Sequence, residues 1–202
     1  MLIEAEIAHF DEQSHLLSGF VDSLASVSTT DIDQTHLFMA EAVMFRLFRI
    51  YERLVRSSFL FHCVSSNTIN GTSVSSKLNC DDWDTAESIL KAGNKFLDWG
   101  NVVSIQKLAG LVFEDGFPIR ELLSPVHSDL IDLQRFRNFV SHDSSDAAEG
   151  FKTARTQYVR VGDVPPETVG ALALYRKNAR SDIILKIIHR RVIRLSAILG
   201  TL

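Results

Sequence analysis

No other part of the chain limits its architecture as strongly as the stretch 35–64, "THLFMAEAVMFRLFRIYERLVRSSFLFHCV". Leu37, Ala40, Met44, Leu47, Phe48, Tyr51, Leu54, Val55 and Phe59 recur at steps of three and four. That is the period of one helical face, and it predicts a long helix over 35–62. Arg46, Arg49, Arg53 and Arg56 take the other side, with Glu52 among them. Glu52 is four residues from Arg56, the spacing of a surface ion pair. Its other reading is as a group that orients an active-site Arg or His.

The flanking segments carry the same period. Ile3, Ile7, Phe10, Leu17, Phe20, Val21 and Leu24 predict a helix over 2–27 that packs on a core spanning about 35–200. "SSNTINGTSVSS" reads as a loop. "DDWDTAESILKAGNKFL" and "NVVSIQKLAGLVFEDG" read as helices, and Pro118 suits the first turn of a short one at 118–123. In the next segment Ser124 is expected as N-cap, with Pro125 at the first helical position. Val126, Leu130, Leu133, Phe136 and Val140 form its apolar stripe. Another helix is expected from Ser145. The last segment, "ARSDIILKIIHRRVIRLSAIL", sets Ile183, Ile184, Ile187, Ile188, Val192, Leu195 and Leu199 on one side. Alternating strand patterns are absent from the sequence. The reading is therefore a single all-α domain over 1–202, a helical bundle with peripheral helices.

Composition bounds the function. Of 202 residues, 46% are hydrophobic and 23% charged, values that support a buried core. Cys63 and Cys80 do not make a disulfide framework, and with His62 they lack zinc spacing. The expected setting is reduced and cytoplasmic, without membrane partner, metal or cofactor. Residues 1–130 hold nine Lys/Arg against eighteen Asp/Glu, whereas residues 131–202 hold twelve against seven. The net charge of −4 thus conceals a basic C-terminal third. This is either a polyanion-binding face or a set of solvated helix faces.

"RFRNFVSH", 135–142, opens that basic third and is followed by "DSSDA". Asn138 and His142 share a face at i,i+4. Arg137 and His142, five apart, stand about 140° around a regular helix. They meet only through a long Arg side chain or a His just past the helix end. A guanidinium grips two phosphate oxygens and stabilises charge that grows in a transition state. An imidazole moves protons near neutrality. With RNA the 2′-hydroxyl is a built-in nucleophile. Ser141, Asp143 and Ser144 are candidates to hydrogen-bond His142 or substrate; helix termination and capping explain them equally well.

"RNFVSH" resembles the Arg–polar–three residues–His motif of the HEPN superfamily of all-α ribonucleases. "LQRFRNFVSHDSSDAAEGF" and "EAVMFRLFRIYERLVRSSFL" resemble its RiboL-PSP branch, over roughly residues 35–160. The resemblance implies a bundle of four or five helices that dimerises, with two motifs meeting across the dimer groove as a metal-independent RNA-cleaving site. By position, Arg137 would contact the scissile phosphate, Asn138 would be the polar residue beside it, and His142 would be the acid/base group. Family members act as toxins or in defence, which implies RNA and an antitoxin or regulatory protein as partners. Others are inactive dimerising or RNA-binding modules. Ser141 stands where Ala is common in the motif. Without the resemblance, the motif also reads as a plain helix stop.

Overall fold

The computed structural model describes residues 3–78 and 80–202, and its regular elements are helical. Among the described residues, strand pairing is confined to isolated bridges, Asn67 with Ser73 and Ser76 with Phe113. The protein is all-α. The helices are α1 (Ile3–Ser26), α2 (Gln34–Val64), α3 (Trp83–Lys91), α4 (Val102–Val112), α5 (Ile119–Leu123), α6 (His127–Ser141), α7 (Ser145–Arg155), α8 (Val169–Leu174), α9 (Ile184–Val192) and α10 (Arg194–Thr201). Side-chain caps fix several starts. Asp82, Asn101, Ser144 and Thr168 each accept a bond from the backbone N–H three residues on.

The chain divides into two compact units, each built from discontinuous segments. The first comprises 1–11, 50–127 and 193–202. Its core gathers on the C-terminal half of α2. Phe59 meets Trp99 edge-on at 5.5 Å between ring centroids and Phe113 at 5.1 Å. Tyr51 donates its hydroxyl to the Gly100 carbonyl at 3.0 Å. Glu6 is buried, and Arg53 grips it with two bonds of 2.7 and 2.9 Å. Arg53 and Ser57 hold the Glu6 carboxyl below its usual range against the opposing effect of burial.

The second unit comprises 12–49 and 128–192. Leu17, Val21 and Leu24 of α1, Met44, Leu47 and Phe48 of α2, and Leu130, Leu133 and Phe136 of α6 are buried in it. Phe136 lies edge-on to Phe151 of α7. Arg46 donates to Gln13, and Lys186 pairs with Asp22. His189 is buried with its Nε2 at 3.2 Å from the Ser14 carbonyl.

Several expectations need correcting. Phe20 is 51% exposed; Glu6 and Ser14 share the buried face of α1 instead. Val140 also leaves its predicted stripe, at 39% exposed, because α6 is near its end and the core closes at Phe136. Ser124 does not cap: its hydroxyl donates back to the Arg120 carbonyl, and a 3₁₀ turn over Ser124–Val126 runs on into α6. Arg56 gives Nε and Nη2 to Glu87 of α3, at 3.1 and 2.6 Å, in place of the expected pair with Glu52. A carboxylate from another helix accepts both prongs of the guanidinium, a stronger arrangement than one i,i+4 contact.

Candidate functional site

The motif lies at the C-terminal end of α6. Phe136, 0% exposed, anchors that end, and half-buried Phe139 stacks on Phe151 at 4.4 Å between centroids. The His142 N–H donates to the Asn138 carbonyl at 2.9 Å, so helical bonding continues one residue past the last turn of α6. The backbone of His142 therefore keeps helical register. His142 is exposed, as are Ser141, Asp143 and Ser144.

Helical register sorts the motif into two faces. Arg135, Asn138 and His142 fall at i, i+3 and i+7, which places Arg135 about 20° and Asn138 about 40° from His142 around the axis. These three line an open cleft of about 180 Å³ with Ser144, Asp146, Ala147 and Gly150 of the α7 start. Arg137 does not line it. The Arg137 guanidinium carbon stands 4.7 Å above the Phe48 ring, a cation–π contact with α2.

Ser144 plays a structural part at the cleft, since its hydroxyl accepts the Ala147 N–H at 3.2 Å as N-cap of α7. Ser141 and Asp143 stand outside the lining. Glu52 is half-buried on α2 and belongs to the first unit. The structure thus brings Asn138, His142 and Ser144 together, with Arg135 and Asp146 as members that reading the motif alone passes over. The i, i+3, i+7 spacing of Arg135, Asn138 and His142 was the available signal.

A buried carboxylate holds Arg135. Arg135 Nη1 reaches Asp132 at 3.2 Å, and the Asp132 side chain is 1% exposed. Asp132 also accepts the Tyr158 hydroxyl at 3.0 Å and Gln157 Nε2 at 3.4 Å. Burial pushes the Asp132 carboxyl up, against the opposing pull of Tyr158 and Arg135. Much of the positive charge of the C-terminal third is likewise engaged by partners within the same chain. Arg191 pairs with Asp129 at 2.8 Å, Arg190 with Asp182, and Arg155 donates to the Pro166 carbonyl.

A larger cleft, about 610 Å³, lies in the first unit between Arg56, Phe61, Val64, Ser65 and the acidic turn Asp81–Asp84. Asp82 there is committed to Thr85, and Arg56 to Glu87. Among the described residues, no three or more His, Cys, Asp and Glu side chains gather as a metal-holding group, and no helix is long and apolar enough to cross a membrane. Cys63 and Cys80 are buried free thiols. Comparison with models of known protein families, with curated proteins and with solved structures finds no match.

Proposed function

We propose that this protein is a metal-independent endoribonuclease of the HEPN type, acting as a homodimer in which two copies of the 137–142 motif form the cleaving site. The observation that carries this reading is the exposed His142, held in helical register beside Asn138 on an open cleft at the end of α6. In the reaction a base takes the proton from the ribose 2′-hydroxyl. The 2′-oxygen bonds to phosphorus as the bond from phosphorus to the 5′-oxygen breaks. A proton passes to that 5′-oxygen, leaving a 2′,3′-cyclic phosphate and a 5′-hydroxyl. His142 is the proton-transfer group, Arg137 and Asn138 serve the phosphate, and a toxin or defence role with an antitoxin or regulatory partner follows from the resemblance alone; the cytoplasmic setting rests on the two unpaired cysteines.

The test is purified protein incubated with total RNA in EDTA, comparing wild type with Arg137→Ala and His142→Ala. Cleavage by wild type that both substitutions remove supports the reading. No cleavage by wild type, or equal cleavage by all three, defeats it.

A second reading, a non-catalytic HEPN-like module that binds RNA or a protein, draws on the placement of Arg137. Its guanidinium packs on Phe48 and is absent from the cleft that His142 lines. RNA retention in a filter-binding assay, without cleavage at any pH from 5 to 9, would favour this reading.

A further inference from the structure

The face of α6 that carries His142 has its own cation, and it is not Arg137. Arg135, Asn138 and His142 line one side of the α6–α7 cleft, and the first two turns of α7 line the other. At about 180 Å³ the space is smaller than the roughly 300–1,000 Å³ of a pocket for a drug-sized ligand. It suits a charged group on a chain that continues past it, such as a phosphodiester.

The Arg135 guanidinium is oriented from behind. Asp132 takes Nη1, and Tyr158 and Gln157 fix Asp132 in turn. Asp132 therefore takes one of the five guanidinium N–H donors, which leaves others for a ligand. The aliphatic stem passes over Gly150, where an added Cβ would come within 3.6 Å of Arg135 Cγ. The side chain is 35% exposed: held at its base, open at its tip. A fixed guanidinium costs less ordering entropy on binding than a free surface one. Asp146 makes the lining less than uniformly cationic. An anion there belongs on the Arg135–His142 side.

We propose that Arg135 binds a non-bridging oxygen of the RNA backbone phosphate in the α6–α7 cleft, next to His142 of the same protomer. This rests on reading the cleft as the RNA-cleaving centre. Arg135 is then the residue that presents phosphate to the imidazole within one chain, and Asp132 is a positioning residue that acts through it.

The experiment measures kcat and KM on a short RNA for wild type, Arg135→Ala, Arg135→Gln and His142→Ala, with thermal unfolding recorded for each. Arg135→Gln keeps a donor for Asp132 and removes the charge, so it stays informative if Arg135→Ala fails to fold. The expected result is a fall of about 100-fold in kcat/KM for both Arg135 variants, with the His-dependent pH profile retained. Arg135→Gln within twofold of wild type, while His142→Ala is inactive, overturns the Arg135 proposal and leaves the ribonuclease reading standing. If wild type cleaves no RNA, the ribonuclease reading fails, and inorganic phosphate decides the cleft. The ¹H and ¹³C signals of the His142 ring are followed during titration. A shift in wild type that Arg135→Gln abolishes supports an Arg135 phosphate site; no shift in wild type overturns it.

Discussion

His62 shows how far a residue's neighbours can move its chemistry. It is 0% exposed near the C-terminal end of α2, edge-on to Phe61, with neither ring nitrogen hydrogen-bonded. Burial lowers its pKa to about 4 from the ordinary 6.5, because the charged form would lose its hydration. The folded value is depressed, so the unfolded chain binds more protons between pH 4 and 6.5. The stability tied to His62 is therefore complete above pH 6.5 and is lost as pH falls toward 4, by up to about 3 kcal/mol. Urea unfolding at pH 7 and pH 5 should show wild type losing more stability than His62→Leu, which has no proton to bind. Equal losses would place the acid sensitivity elsewhere. The sequence put His62 at a helix end and did not foresee its burial. Helical spacing gives the face a residue takes, and only the surrounding chain sets how deeply that face is covered.

At the scale of elements, the close approach of α8 to α2 depends on a missing side chain. A Cβ at Gly170, in the first turn of α8, would fall inside contact distance of the Leu37 carbonyl oxygen, a backbone atom that cannot rotate aside. Gly170→Ala should destabilise the protein by about 1–3 kcal/mol despite alanine's better helix propensity, measured as a lowered midpoint of urea unfolding with unchanged slope. A neutral or raised midpoint would mean that α8 shifts freely. Such contacts are not legible from local pattern, which reported helix type well. The apolar period marked out α2, and Ser144 with Ser145 correctly marked the start of α7. Where the reading failed, a tertiary partner decided. Glu87 of α3 took Arg56, and the chain from α5 reached α6 through a 3₁₀ turn that left Ser124 no helix start to cap.

For the whole molecule, the proposed composite site makes a prediction about mixed dimers. If the Arg137 of one protomer works with the His142 of the other, Arg137→Ala and His142→Ala are each inactive alone. Mixed and allowed to exchange subunits, they should regain up to roughly a quarter of wild-type RNA cleavage: half of the dimers are mixed, and each carries one intact pair out of two. No recovery on mixing, with exchange verified by mass spectrometry, would place the working pair within one chain. The geometry of α6 makes this question sharp, since Arg137 and His142 take different faces of the same helix.

The sequence by itself determined the helical class, the long α2 and the register of the motif, because hydrophobic period and capping chemistry act over a few residues. It also determined that Asn138 and His142 share a face with Arg135, a fact contained in three numbers. Only the tertiary structure decided which cation accompanies His142 in the cleft, because that depends on where α7 and Phe48 lie. It likewise decided the fate of the basic C-terminal third, where Lys186, Arg190 and Arg191 pair with carboxylates of the same chain. Charge is counted along the chain, but each guanidinium takes the partner that folding brings within about 3 Å of it.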